Sequence, residues 1–184
     1  MIYIVKDFEK TDSKTYETMF EALPASIKQK AEKRRGTNDF CPTVVEYFVV
    51  KSLIGLEDGA DFLYNENGKP FAEGKKHFSI SHQENILAVA VADVPVGVDI
   101  QKLIPYPNKI AQQIANEKEL EKITQSKNPS IELTKLWTKK ESYLKMLGLN
   151  MARDLKTLLD GANDVSFNFK KGGNYIVCEC LKTK

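Results

Sequence analysis

Two polar side chains alternate with aliphatic ones in the segment Gly97-Val98-Asp99-Ile100-Gln101. In a β-strand, alternate side chains point to the same face, so Asp99 and Gln101 would share one face and the aliphatic residues the other. Carboxylate and amide oxygens suit a hard cation such as Mg²⁺, which takes few protein ligands and keeps water molecules that a phosphate can displace. The pattern therefore indicates a metal site, or else an aspartate that caps a turn at the end of a strand.

A second carboxylate, Glu141, lies in a stretch with helical periodicity. Trp137, Glu141 and Lys145 are spaced four residues apart, so a helix would project all three to one side. The order of Glu141 and Lys145 is also the favourable one for an intrahelical ion pair. The spacing alone favours such a pair and is compatible with one wall of a phosphate site.

Hydroxyl and imidazole groups occur together in the segment Ser79-Ile80-Ser81-His82, at the end of a predicted strand. A single histidine in such a place is more often a structural group than a ligand. A basic stretch over residues 28–35 is typical of the solvated face of a helix. Taken one at a time, these features favour structural roles over a binding site.

Hydrophobic periodicity predicts the elements that position these residues. Strands are expected at residues 2–5, 77–82, 86–91, 97–101, 165–169 and 175–180, and helices at 13–23, 24–35, 42–54, 108–123 and 131–147. This order of elements is typical of an α+β protein built from two similar halves. We expect an N-terminal half at residues 1–102 and a C-terminal half at residues 103–184.

The composition is that of an ordinary globular protein, with 42% hydrophobic and 28% charged residues in a chain of 184. Its 27 basic and 25 acidic residues give a net charge of +2, which argues against a dedicated nucleic-acid binder. The three cysteines are badly spaced for a zinc site and are expected to be free thiols in a reducing compartment. No signal peptide or membrane helix is expected. We therefore expect a cytoplasmic monomer that binds neither nucleic acid nor membrane.

Four segments, taken in order, resemble the motifs of a known family. They are Gly68-Lys69-Pro70, Phe78-Ser-Ile-Ser-His82, Gly97-Val-Asp-Ile-Gln101 and Leu136-Trp-Thr-Lys-Lys-Glu-Ser-Tyr-Leu-Lys145. Their order and spacing are similar to those of the 4′-phosphopantetheinyl transferases of the single-chain, surfactin-synthetase-activating (Sfp) type, over about residues 24–155. The resemblance implies a pseudo-dimeric α+β fold, with two halves related by pseudo-twofold symmetry and the active site in the cleft between them.

The resemblance also implies an activity. Such enzymes transfer the phosphopantetheine arm of coenzyme A to a serine of an apo acyl or peptidyl carrier protein and release adenosine 3′,5′-bisphosphate. By position, Asp99, Gln101 and Glu141 would hold Mg²⁺ together with the coenzyme A pyrophosphate. Asp99, Glu141 and Lys145 would be the catalytic residues, with Glu141 as the general base for the serine proton and Lys145 as a donor to a phosphate oxygen.

The same resemblance implies contacts to coenzyme A elsewhere in the chain. Lys30 would bind the 3′-phosphate, with Lys28 as its neighbour. The other expected coenzyme A contacts are Thr43, Lys69, Pro70, Ser81, His82 and Lys145.

Three residues depart from the family pattern. Gln101 stands where a second acid is usual, Pro42 where an arginine or similar donor is common ahead of Thr43, and Asn150 where a glycine often follows the helix. Two other functions therefore stay open beside the transferase. One is a non-catalytic module that binds coenzyme A or a nucleotide, and the other is a Mg²⁺-dependent phosphohydrolase that uses Asp99 and Glu141.

Overall fold

The computed structural model describes residues 1–38, 40–150 and 154–183, which form eight strands, six α-helices and one short 3-10 helix, Phe8–Lys10. The strands are β1 (Ile2–Lys6), β2 (Leu63–Tyr64), β3 (Pro70–Phe71), β4 (His77–Gln83), β5 (Ile86–Ala92), β6 (Val96–Lys102), β7 (Val165–Gly172) and β8 (Tyr175–Lys182). The helices are α1 (Ser13–Glu21), α2 (Ala25–Lys33), α3 (Phe40–Ile54), α4 (Lys109–Ile114), α5 (Glu117–Gln125) and α6 (Pro129–Leu147). In this described part, no helix is long and apolar enough to cross a membrane.

The predicted α+β class is confirmed, and most predicted elements are present with their bounds shifted by a few residues. The helix expected over residues 108–123 is instead two helices, α4 and α5. The break comes at Asn116, whose side chain accepts a hydrogen bond from the backbone of Glu119, while the Glu119 side chain accepts one from the backbone of Asn116. This reciprocal capping box begins a new helix, because it satisfies backbone N–H groups that a continuous helix would use internally.

Six of the eight strands form two three-stranded antiparallel sheets, with the orders β1-β5-β4 and β6-β8-β7. Strand β6 therefore lies in the same sheet as β7 and β8, although the predicted division at residue 102 assigns it to the N-terminal half. The remaining two strands, β2 and β3, form a separate ribbon around the turn at residues 65–69. The division into halves and their pseudo-twofold relation stay predictions.

The two sheets adjoin along β4 and β6. The hydroxyl Oγ atoms of Ser79 and Ser81 on β4 accept hydrogen bonds from the backbone N–H groups of Val98 and Ile100, at 3.0 and 3.3 Å. Val98 and Ile100 themselves point into a buried cluster shared with β5 and β8. The predicted alternation along β6 is therefore confirmed for the two aliphatic residues, and the polar residue between them, Asp99, lies beside β4.

Helix α6 approaches β6 very closely at Gly97. A Cβ atom at this position would lie 1.9 Å from the carbonyl oxygen of Ser142 and 2.4 Å from the backbone nitrogen of Met146. Only a residue without a side chain allows such an approach between two backbones. Gly97 thus lets the polar side of α6 reach Asp99.

Candidate active site

Four side chains from three elements form a compact cluster, which we call the acidic centre: Ser81 on β4, Asp99 on β6, and Glu141 and Lys145 on α6. The Asp99 side chain is 8% exposed, and its Oδ1 accepts hydrogen bonds from Lys145 Nζ at 2.7 Å and from Ser81 Oγ at 2.8 Å. Lys145 Nζ also donates to Ser81 Oγ at 2.9 Å. Contacts across 46 and 64 residues of sequence thus bring together Lys145, Asp99 and Ser81, and the charges of Asp99 and Lys145 act on Glu141.

The spacing of α6 favoured an ion pair between Glu141 and Lys145, and this prediction is wrong. Among the ion pairs of the described residues, Lys145 pairs with Asp99 instead. The Asp99 carboxylate is almost fully removed from water, so it gains strongly from a nearby ammonium. Lys145 is therefore part of the contact between α6 and β6.

The Glu141 carboxyl has a strongly perturbed pKa. Burial is the first cause and the nearby charge of Asp99 the second, and together they raise this pKa to about 7, although the ammonium of Lys145 acts in the opposite direction. Perturbations of this kind are typical of functional sites, where like charges are held close together. Two carboxylates that repel each other in a dry site create a demand for positive charge.

One oxygen atom of the acidic centre indicates where a positive charge would bind. Asp99 Oδ2 is buried and has no hydrogen-bond partner among the described residues. Such an atom is rare in folded proteins and costs free energy unless a ligand or ion satisfies it. A divalent cation between Asp99 and Glu141 would satisfy it and reduce the repulsion, so the two residues fit a Mg²⁺ site.

Gln101 is two residues after Asp99 on β6 and is half-buried. In the described ranges, no group of three His, Cys, Asp or Glu side chains is placed to hold a metal. Gln101 stays the predicted third ligand, through its amide oxygen, directly or through water.

A second cluster, which we call the basic pocket, lies on the other side of β4 and consists of Lys30, Arg34, Thr43, Glu46 and His82. Arg34 Nη1 donates to Thr43 Oγ1 at 2.8 Å, and His82 Nδ1 lies 2.7 Å from Glu46 Oε1. Burial lowers the pKa of Lys30, and the neighbouring guanidinium of Arg34 lowers it further. Three residues with predicted coenzyme A contacts, Lys30, Thr43 and His82, are thus brought together here.

Strand β4 connects the two clusters. Ser81 and His82 are adjacent in sequence, and adjacent side chains of a strand point to opposite faces. Ser81 therefore contacts Asp99, whereas His82 contacts Glu46 on α3. One elongated ligand that carries phosphates at two places could reach both clusters.

Lys28 is placed differently from its expected coenzyme A role. Its ammonium forms an ion pair with Glu21 at the end of α1 and lies 5.1 Å from the ring centroid of Phe20. Each helical residue is rotated by about 100° from the one before it, so Lys28 and Lys30 point to nearly opposite sides of α2. Of the two candidate lysines, the structure brings only Lys30 to the basic pocket.

Lys69 also uses its ammonium within the protein. Its Nζ donates to the backbone carbonyl oxygens of Val96 and Met146, at 3.0 and 3.3 Å, and burial lowers its pKa to about 8. Pro70 follows in β3 and is paired with Tyr64, whose ring centroid lies 5.5 Å from Lys30 Nζ. Lys69 therefore links the β2–β3 ribbon to the junction of β6 and α6, and Pro70 lies in the strand beside the basic pocket.

Sequence reasoning named Arg34 only as part of the basic stretch over residues 28–35, and it did not name Glu46. Arg34 follows Lys30 by four residues, so helical spacing could have placed both on one side of α2. Glu46 carries no such signal, since its contact is His82, 36 residues away.

Comparison with known proteins connects these clusters to a family. A family model described as the 4′-phosphopantetheinyl transferase superfamily matches residues 95–183. The 4′-phosphopantetheinyl transferase gsp of Aneurinibacillus migulanus is 40% identical over 111 residues, which cover 59% of this chain and 46% of that protein. Residues 95–183 of the chain are thus similar to the 4′-phosphopantetheinyl transferase superfamily.

Two further relatives match more of the chain at lower identity. A 4′-phosphopantetheinyl transferase of Bacillus subtilis is 28% identical over 147 residues, 74% of this chain and 65% of that protein. The L-aminoadipate-semialdehyde dehydrogenase-phosphopantetheinyl transferase of Saccharomyces cerevisiae is 23% identical over 184 residues, 90% of this chain and 67% of that protein. The chain thus spans about half to two thirds of the length of these relatives.

The region matched by the superfamily model contains three residues of the acidic centre, Asp99, Glu141 and Lys145, together with Gln101. The basic pocket lies entirely before that region. The range matched by the superfamily model thus includes most of the acidic centre and none of the basic pocket.

Proposed function

We propose that this chain transfers the 4′-phosphopantetheine arm of coenzyme A to a serine of an apo acyl or peptidyl carrier protein, in a Mg²⁺-dependent reaction that releases adenosine 3′,5′-bisphosphate. The observation that carries the proposal is the acidic centre. Its buried, unpartnered Asp99 oxygen lies beside a second carboxylate and a lysine, as the binding of a metal with a phosphate requires. The names of the relatives support the same reaction.

In this reaction the serine Oγ of the carrier attacks the phosphorus that bears the pantetheine arm. The bond from this phosphorus to the bridging oxygen breaks, and adenosine 3′,5′-bisphosphate leaves with the electron pair. Glu141 accepts the serine proton, and a pKa raised to about 7 suits a base that works near neutral pH. A phosphodiester between the carrier serine and the arm is the product.

Each of the other residues has a separate task. Mg²⁺ held by Asp99, Glu141 and Gln101 would supply positive charge against the pyrophosphate oxygens. Lys145 donates to a phosphate oxygen, and its contacts with Asp99 and Ser81 hold the ammonium in place before the substrate arrives. A donor positioned in advance stabilises charge in the transition state without reorganisation.

The proposal places the active site between the two predicted halves. Residues 1–102 contribute Ser81, Asp99 and the basic pocket, and residues 103–184 contribute Glu141 and Lys145. One chain therefore carries both clusters, and the reaction needs no second copy. A monomeric state and a cytoplasmic location stay predictions.

The test is to incubate the full chain with coenzyme A, Mg²⁺ and an apo carrier protein, and to measure the intact mass of the carrier. We expect the mass of one phosphopantetheine group to be added. Asp99→Ala and Glu141→Ala should each reduce the rate by at least about 100-fold while circular dichroism stays unchanged, because water cannot replace a metal ligand or a base in this site. Glu57→Ala, which removes an exposed carboxylate, is the control and should keep the rate.

Other results would contradict the proposal. Tight binding of coenzyme A without transfer to any carrier tested would indicate a non-catalytic binding module. Hydrolysis of coenzyme A or a nucleotide in the absence of carrier would indicate a phosphohydrolase. Transfer at a normal rate by a folded Asp99→Ala variant would remove Asp99 from the metal site.

A further inference from the structure

The end of α2 carries two half-buried cations. Lys30 lies in the last turn of this helix and Arg34 is its C-terminal cap residue. Neither forms an ion pair with a carboxylate of the described residues. In contrast, Lys28 and Arg35 from the same segment pair with Glu21 and Glu32.

The two cations lie close to each other. Burial is the largest cause of the lowered pKa of Lys30, and the charge of Arg34 is the second. The two groups therefore share a partly dehydrated space. Glu46 is near enough to act on Lys30 in the opposite direction, but its Oε1 is already engaged by His82 Nδ1 at 2.7 Å. Two like charges held together cost free energy in the absence of a ligand, and a doubly charged anion between them would recover it.

Arg34 is oriented before any ligand binds. Its Nη1 donates to the hydroxyl of Thr43, a residue that is 3% exposed, and within the described ranges its side chain makes no second hydrogen bond. A guanidinium has five N–H groups in a rigid plane, and the hydrogen bond to Thr43 uses one of them, so the others can donate to a ligand beside Lys30. Pro42, which precedes Thr43 on α3, has no side-chain donor to offer there.

We propose that Arg34 is a substrate-binding residue, whose guanidinium is held by Thr43 and binds a phosphate monoester dianion together with Lys30. It supplies from the end of α2 the donor that Pro42 cannot supply from α3. If the proposed function holds, on which this assignment rests, the dianion is the 3′-phosphate of coenzyme A. A planar guanidinium can bind two oxygens of one phosphate, which makes Arg34 a determinant of selectivity for the 3′-phosphorylated ligand.

The test compares the binding of coenzyme A and of 3′-dephospho-coenzyme A to the full chain by titration calorimetry, without carrier. The quantity of interest is the ratio of the two dissociation constants, because a fold defect affects both ligands alike. We expect the chain to prefer coenzyme A and Arg34→Gln to reduce this preference at least about tenfold, since charge-assisted hydrogen bonds to a dianion are lost. Arg34→Lys should keep only part of the preference, because it keeps the positive charge but loses the planar guanidinium that can bind two phosphate oxygens.

The control is Lys33→Gln, which removes one positive charge from the adjacent, exposed residue and should leave the ratio unchanged. An equal weakening of both ligands by Arg34→Gln would overturn the assignment and give Arg34 a purely structural role. An unchanged ratio in that variant would also overturn it. If the unmutated chain transfers phosphopantetheine but Arg34→Gln keeps the ratio, only this inference fails, whereas a chain that binds neither ligand refutes the proposed function itself.

Discussion

Replacing Lys145 by methionine removes the ammonium that holds the Asp99 carboxylate while keeping most of the apolar stem. In the variant, Asp99 would retain a single hydrogen bond, from Ser81 at 2.8 Å, and its Oδ2 has none among the described residues. Leaving a buried charge without its partner costs about 3–5 kcal/mol in a fully buried pair. The Lys145 side chain is 30% exposed, so water can enter and the loss should be smaller, about 2–3 kcal/mol, which is typical of a hydrogen bond to a charged group.

A double-mutant cycle with Asp99→Asn tests this magnitude. Asp99→Asn should cost less than Lys145→Met, because the lysine can turn its ammonium to water whereas the carboxylate cannot. The coupling energy between the two substitutions should be about 1–2 kcal/mol, within the range of residues in direct contact. The assay is urea unfolding followed by circular dichroism, with a chelator present so that bound metal does not contribute.

A matched control comes from the same helix. Lys135 forms an ion pair with Glu132 at 2.9 Å, but its side chain is 42% exposed, so Lys135→Met should cost only about 0–1 kcal/mol. A coupling energy between Lys145 and Asp99 below about 0.5 kcal/mol would refute the reasoning. The same holds if Lys145→Met is no more destabilising than Lys135→Met.

Three further predictions concern other positions. Gly97→Ala should destabilise the protein by more than about 3 kcal/mol or prevent folding, because its Cβ would lie 1.9 Å from the Ser142 carbonyl oxygen. The control, Gly161→Ala, has open space around it and should be tolerated. Equal unfolding midpoints of the two variants would contradict the close packing of α6 on β6. Gln101→Glu should lower the Mg²⁺ concentration for half-maximal transfer, since it adds a charge to the metal ligands; abolished transfer with an intact fold would instead give the amide a donor role. Burial lowers the pKa of Lys69 to about 8 from an ordinary value near 10.5, so the folded state loses this proton before the unfolded state does. The free energy of unfolding should therefore rise from about pH 8 towards 10.5 relative to Lys69→Met, and parallel pH profiles would show that the amine is not dehydrated.

The local periodicities of this chain were sufficient to predict most of its elements. Alternation along β6 placed Val98 and Ile100 in the core, and the four-residue spacing of Glu141 and Lys145 placed both on one side of α6. These predictions succeed because the direction of a side chain relative to its own element is set by the backbone geometry of that element. The missed boundary between α4 and α5 is of the same local kind, since Asn116 and Glu119 form a recognisable capping box.

The partners of the charged groups in the two clusters were decided by the tertiary structure. Helical spacing predicted an ion pair between Glu141 and Lys145. The ammonium of Lys145 instead pairs with Asp99, which lies on another element 46 residues earlier. His82 and Glu46 likewise meet across 36 residues. The chain by itself determined which residues share a face. Packing decided which charges are removed from water, and a buried charge takes the nearest group that can compensate it, whatever its distance along the sequence.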